Sequence, residues 1–573
     1  MKMILHYLKK YKLEAFLAPL FKMIEAIFEL LVPIVIAALI NKGLKNDNMT
    51  YVIWCVIILF LFAILGLGCA IVAQYFSARV AAKYAKDIKN DFFNHLETLS
   101  FKDLDTLGTS NLITNMTSDI NQMQTGMNMF LRLFLRSPFV VFGALIMSFV
   151  VNIKIAMVFL ISLPILAVIV FTIILVCIPL YKKSQVKLAN ILKKTRENIT
   201  GTRVIRAFCE EENETKRFKE LNHDLTGFQI FVGKLSALMN PLTYVVINLA
   251  IIAILYIGAN EVNIGNILQG DLIAEYNYMS QILIELIKLA NLTVTLTKAL
   301  ACSKRVFAIF DIKCSQEFPT VSKPKKEQDE IISFEHVSMG YTESKDVLKD
   351  LSFTVNNKEV IGIIGGTGCG KTSLINLLGR YYDISNGRIS LYGNDIKDYT
   401  KDDLRGMVGV VMQKAVLFKG SIRDNLKYAN PNKITDDDIY KALEIAQATD
   451  VIKSKENGLD EIIFEGGKNL SGGQRQRLCI ARTLLAKPDI LVLDDSSSAL
   501  DYLTDKNLRK AILNMPNHPT LFIVSQRCLS VSEADKIIVL DEGKINGIGT
   551  HDELLKTNKL YQEIYHSQIK ETE

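Results

Sequence analysis

The sequence predicts two domains in tandem: an all-α membrane domain with six spanning helices, then an α/β phosphate-loop nucleotide-binding domain. Three observations carry this. Long apolar runs crowd residues 1–300 and are missing after them. The apolar strand Val360-Ile-Gly-Ile-Ile364 runs into Gly365-Gly-Thr-Gly-Cys-Gly-Lys-Thr372 and then an apolar helix. A second apolar strand, Asp489-Ile-Leu-Val-Leu-Asp494, ends in an acid 122 residues after Thr372.

The chain has 573 residues, too many for one hydrophobic core. Its net charge of +6 is small for that length and argues against nucleic-acid binding. The nine cysteines are scattered with no C-x-x-C pair, which disfavours a disulfide framework or a metal site. The basic and apolar residues interleaved in MKMILHYLKKYKLEAF have no small-residue cleavage site. They predict a short amphipathic helix on the inner membrane surface.

A bilayer core takes about 20 apolar residues per helix. Candidate spans lie near 17–40, 51–77, 130–151, 154–180, 236–259 and 271–296, within a membrane domain of residues 1–315. The connections at 78–129 and 181–235 are long and charged, the second carrying Lys182, Lys183, Lys187, Lys193, Lys194, Arg196, Arg203 and Arg206. Basic loops stay inside, so both termini and both long loops are expected in the cytoplasm. Each long loop predicts two helical arms reaching ~37 Å from the bilayer. The tips are expected at Gly108–Asp119 and Glu197–Phe208.

The sixth span is the most polar. Asn277, Gln281, Glu285, Lys288 and Thr295 share one helix face. Ionisable groups in a span face an aqueous cavity or a partner. Two readings stay open: a cavity wall that meets substrate, or a Glu285–Lys288 pair neutralised against a neighbouring helix. Lys22, Glu25 and Glu29 on the first span read as structural pairs at i,i+3 and i,i+4.

Residues 316–330, QEFPTVSKPKKEQDE, read as a linker, and residues 331–573 as the nucleotide domain. The strand–loop–helix at 360–378 matches G-x-x-x-x-G-K-[ST] in its required setting. Backbone N–H groups of Gly365, Gly366, Thr367, Gly368, Cys369 and Gly370 would curl around phosphate oxygens. Cys369 reads as a small filler at a variable position. Lys371 would reach the β- and γ-phosphates, and Thr372 and Asp494 would support Mg2+.

Between those two strands lies Leu470-Ser-Gly-Gly-Gln474, followed by Arg475-Gln-Arg477. Here the chain closely resembles the ATP-binding cassette (ABC) transporter family over essentially its whole length. The resemblance implies ATP and Mg2+ as ligands. It implies that Tyr341 stacks on adenine, that Gln413 in VVMQKAVLF is the Q-loop glutamine touching Mg2+, and that Asp501 in Ser498-Ala-Leu-Asp501 belongs to the D-loop. It also implies that Ser471, Gly472, Gly473 and Gln474 act on ATP held by a second half-transporter.

Two positions depart from the family pattern. The residue after the Walker B aspartate is usually Glu and here is Asp495, whose carboxylate falls about 1.5 Å short. The switch histidine is replaced by Gln526 in Ser525-Gln-Arg527. Glutamine can hydrogen-bond a phosphate but carries no charge. Together these resemble the degenerate-site half of heterodimeric bacterial multidrug exporters. The resemblance then implies a different partner chain with the Walker B Glu and the histidine, a plasma-membrane location, and export of hydrophobic or amphipathic compounds, whether drug-like, lipid or peptide. An ATP-gated channel, a regulatory subunit and a slow homodimeric exporter remain the alternatives.

Overall fold

A computed structural model describes residues 2–341, 346–429 and 433–569. The chain divides into two units, Met1–Glu97 with Gly108–Lys313, and Thr98–Leu107 with Cys314–Glu573.

The first unit is helical. The helices are α1 (Lys2–Lys9), α2 (Lys12–Ala38), α3 (Met49–Thr98), α4 (Phe101–Leu107, assigned to the second unit), α5 (Thr109–Thr114), α6 (Ile120–Leu133), α7 (Arg136–Val151), α8 (Ile153–Thr200), α9 (Thr202–Ala207), α10 (Glu211–Ala237), α11 (Met239–Ile264) and α12 (Gln269–Phe310). Among the described residues six stretches are long and apolar enough to cross a membrane: Lys12–Leu44, Met49–Thr98, Thr109–Val151, Ile153–Thr200, Glu211–Ile264 and Gln269–Phe310. The apolar side chains of the second stretch point mostly outward. Trp54, Ile57, Phe60, Leu61 and Ile64 of α3 are all exposed, as a lipid-facing helix requires. At about 1.5 Å per residue, α3 and α8 run ~70 Å, more than twice the hydrocarbon thickness. Their far halves pass beyond the apolar windows as the expected arms, with α6 and α10 returning. The turn between α7 and α8 is set by Asn152, whose side chain accepts hydrogen bonds from the N–H groups of Lys154 (2.9 Å) and Ile155 (3.2 Å). The N-terminal helix is tied to α3: the Tyr7 hydroxyl donates to Asp91 (2.8 Å), and Lys10 and Tyr11 both donate to Asp87 (2.9 and 2.8 Å).

The polar face of α12 meets its neighbours. Arg136 of α7, 4 % exposed, lies 2.6 Å from Glu285 and 2.6 Å from Glu29 of α2. Ser137 and Lys288 each donate to Glu285 at 2.8 Å. Gln281 donates to the Glu29 carbonyl (3.2 Å), and Thr295 bonds back to Asn291 within its own helix. Glu285 is therefore a helix-clamping group, and the reading as a neutralised pair is the one this geometry follows. Lys22 pairs with Glu25 as expected (2.6 Å), whereas Glu29 turns across to Arg136.

The first expected loop tip shifts. Gly108, at φ 74°, begins the helix of the returning arm, and the short helix at the bend is α4, seven residues earlier. The threonine-, serine- and asparagine-rich run after it is helical and belongs to the first unit.

The second unit is built on β1 (Glu330–Met339), β2 (Leu348–Asn356), β3 (Val360–Gly365), β4 (Asn386–Leu391), β5 (Asn394–Asp395), β6 (Val408–Val411), β7 (Gly420–Ser421), β8 (Ile462–Ile463), β9 (Ile490–Asp494), β10 (Thr520–Val524), β11 (Lys536–Asp541) and β12 (Lys544–Gly549). The main sheet has the order β12-β11-β3-β10-β9-β6, parallel except for the β12 edge. A smaller antiparallel sheet has the order β2-β1-β4-β5. Strands β3, β9 and β10 are buried throughout, which explains their unbroken apolar runs. Alternate residues feed opposite faces: Ile364, Leu491, Leu493 and Ile523 one core, Ile363, Val492, Phe522 and Val524 the other. The segment expected as a linker is held along this unit. Lys323 and Lys326 donate their backbone N–H groups to Asp398 and Tyr392 (3.2 Å each), and Arg380 lies over the Phe318 ring at 4.4 Å.

Candidate nucleotide site

The register of the main sheet brings the motif residues to one edge. Val524 of β10 pairs with Ile363 of β3 and with Asp494 of β9, and Val411 of β6 pairs with Leu493. The phosphate loop, Ser525-Gln526, Asp494-Asp495 and Gln413 thus all leave the carboxyl ends of four adjacent parallel strands. Open α/β sheets bind ligands at that edge.

The loop shape depends on glycine at two points. A Cβ on Gly365 would lie 2.2 Å from the Leu540 carbonyl oxygen. Gly370 has φ 105°, and its Cβ would meet Leu348 at 2.6 Å. The helix Lys371–Leu378 starts directly after it. Lys371 folds back over the loop, its Nζ donating to the Gly365 and Gly366 carbonyls at 2.8 Å each. Cys369 is buried and packs in the apolar cluster beneath the loop, in keeping with a filler.

Thr372 donates its hydroxyl to Asp494, 3.2 Å from the nearer carboxylate oxygen. Asp494 is 4 % exposed. Burial pushes its carboxyl above the usual range, and the Asp495 charge adds to that, while the Thr372 hydroxyl pulls the other way. A buried carboxylate and a hydroxyl converging beside a lysine-bearing loop fit a hard cation with oxygen ligands, so Mg2+ with ATP suits this donor set. When bound, the cation would supply charge neutralisation to the phosphates, with Thr372 and Asp494 as its protein ligands.

Asp495 is half-buried, with φ 45°, and its N–H donates to the Val524 carbonyl at 2.9 Å. Gln413 donates to its carboxylate at 3.2 Å. Gln526 is exposed just past the end of β10, and its carbonyl accepts from Gln568 at 2.7 Å. Tyr341 lies over the first turn after the loop, its hydroxyl 2.9 Å from that of Ser373.

Ser471 and Gln474 form a reciprocal cap at the start of the helix Gly472–Leu484. The Gln474 N–H donates to Ser471 Oγ (3.2 Å), and the Ser471 N–H to Gln474 Oε1 (3.0 Å). Ser471 and Gly472 are exposed, and Gly473 packs against the Ala499 carbonyl of the D-loop segment. Asp501 caps the next helix through the Thr504 N–H at 3.0 Å. Among the described residues no hydrogen bond links Ser471–Gln474 or Asp501 to the phosphate loop.

Residues 15–286 match the ABC transporter transmembrane region, and residues 348–498 match the ABC transporter domain. Over 572 residues the chain is 32 % identical to the uncharacterized ABC transporter ATP-binding protein YfiB of Bacillus subtilis (strain 168), covering 99 % of each. The chain belongs to the ABC transporter family. It is also 32 % identical, over 86 % of this chain and 85 % of the other, to the ATP-dependent lipid A-core flippase of Desulfotalea psychrophila (strain LSv54 / DSM 12343). Its fold matches that of a bacterial Atm1-family ABC exporter with ATP bound, with a TM-score of 0.80, 22 % identity and 98 % coverage of both chains. This ABC transporter is thus an integral membrane half-transporter of exporter fold, with membrane region and ATPase domain fused in one chain.

Sequence reasoning missed Arg136. An arginine inside an apolar span, here Arg136 beside Arg132, was the available signal, because such a group needs a counterion. Its partners lie 107 and 149 positions away, beyond any local pattern.

Proposed function

We propose that this ABC exporter chain is the hydrolysis-impaired half of a heterodimer that moves hydrophobic or amphipathic compounds out of a bacterial cytoplasm. Its nucleotide unit and both termini lie on the cytoplasmic side of the plasma membrane. The observation that carries this reading is the pairing of Asp495 with Gln526 at neighbouring strand ends. Both positions that would act on the attacking water and the γ-phosphate are altered in one site. Tyr341, the loop Gly365–Thr372, Gln413 and Asp494 hold Mg2+ and ATP, and the intact residues Ser471–Gln474 complete the site of a partner that has the Walker B Glu and the switch His. The name of the Desulfotalea relative supports an amphipathic, lipid-like cargo.

The test is ATP hydrolysis by the purified chain alone and together with its candidate partner. Alone it is expected to be near the background, and together brisk. A carboxylate misplaced by about 1 Å costs roughly 100-fold, so Asp495→Glu with Gln526→His should recover activity that neither change recovers by itself. Brisk hydrolysis by the unaltered chain alone would replace this reading with a homodimeric exporter.

A further inference from the structure

Helix α4 is short, yet it is held at both ends within the nucleotide unit. At its start, Asp103 accepts from the Ser100 N–H (3.1 Å), the Ser100 hydroxyl (2.7 Å) and the Ser315 N–H (3.0 Å). The Phe101 ring lies 5.0 Å from the Tyr381 ring, with the Arg405 guanidinium 5.9 Å from Phe101 and 5.6 Å from Tyr381. Further along, the Tyr382 hydroxyl donates to the Asp105 carboxylate. Burial, and then the hydrogen bond to Asp105 and its charge, push the Tyr382 phenol above its ordinary range, so the hydroxyl remains a donor at any physiological pH.

The same Tyr382 ring stands edge-on against Tyr341, with centroids 5.0 Å apart and an interplanar angle of 89°. Edge-to-face pairs have a defined geometry, so the position of one ring constrains the other. Tyr341 in turn bonds Ser373, the residue after Thr372. An unbroken chain of contacts therefore runs from Asp105 through Tyr382 and Tyr341 to the first turn of the phosphate-loop helix.

We infer that Tyr382 is a positioning residue that couples the seating of α4 to the placement of the ring at Tyr341, so that occupancy by ATP and docking of α4 favour each other. This rests on the reading of Tyr341 as the adenine platform. Asp105 is joined to the Tyr341 ring by way of Tyr382, so an effect of Asp105 on ATP affinity is expected to pass through that residue. Linkage is reciprocal, and ATP on Tyr341 holds α4 in its seat by the same factor.

The experiment is a double-mutant cycle on the full chain in detergent, reading the Kd for Mg2+ with ATP. Asp105→Ala and Tyr382→Phe are each expected to raise Kd about fivefold, with the double variant no worse than either single. Asp105→Asn keeps an acceptor oxygen and should restore affinity. Asp105 is exposed, so its replacement leaves the packing intact. An unchanged Kd for Asp105→Ala, or strict additivity in the cycle, overturns the coupling while Tyr341→Ala still weakens binding. Unaltered binding by Tyr341→Ala overturns the adenine reading and the coupling that rests on it.

Discussion

The two units of this ABC transporter put charge in opposite places. In the nucleotide unit the apolar strands are sealed inside, and polar groups are satisfied close to home. Thr435 and Asp438, Ser471 and Gln474, and Thr550 and Glu553 cap their own helices from three residues away. In the membrane unit the apolar side chains of α3 look outward, and the buried charges Arg136 and Glu285 look inward. Arg136 finds its carboxylates on two other helices, and Glu285 adds Lys288 of its own helix to Arg136 and Ser137 of α7. Water lets one unit solve its polar problem locally, whereas lipid forces the other to solve it across helices.

Removing Arg136 gives the sharpest contrast. Arg136→Ala leaves Glu285 and Glu29 without their shared partner, and breaking such a buried pair costs about 3–5 kcal/mol. Thermal unfolding of the purified protein should show it, and Arg136→Met with Glu285→Leu should regain much of the loss. A smaller effect falls on the phosphate loop. Lys371→Ala deletes a charged donor worth about 1.5–3 kcal/mol, a drop of ~10- to 100-fold in ATP affinity by equilibrium titration, with little change in stability. Thr435→Ala removes one local cap and should cost about 1 kcal/mol in denaturant unfolding. If it matched Arg136→Ala, the contrast between local and cross-helix satisfaction would be wrong.

The last effect is set by pH. The native unit holds the Asp494 proton more tightly than the unfolded chain does, because burial raises that carboxyl. Metal-free protein should therefore lose stability as pH rises through the raised value, and keep the full contribution below the ordinary carboxylate range. Asp494→Asn should remove that loss. Denaturant titrations between pH 4 and pH 7 without Mg2+ would show the two proteins converging only at the acid end.

The strand–loop–helix around Lys371 was legible because its meaning is local: glycines, a lysine and an apolar strand in one short run. The six spans were legible because hydropathy needs no partner. The convergence of Gln413, Asp494, Asp495 and Gln526 was legible only through the family resemblance, since it depends on β10 sitting between β3 and β9, an order the chain does not announce. Gly108 misled for a physical reason. Its left-handed backbone starts a helix, and composition alone makes it look like the bend. Residues 316–329 carry no helix or strand, yet several of their lysines bond to the unit's surface, and such lysines look the same in sequence as lysines that face water.

The backbone at Asp495 has one more consequence. At φ 45° it occupies a region that aspartate and asparagine visit far more readily than longer side chains. An aspartate relaxes this corner, even as it draws the carboxylate back from where a glutamate would reach. Asp495→Glu therefore trades backbone ease for reach: a variant with the longer arm should unfold at a lower temperature.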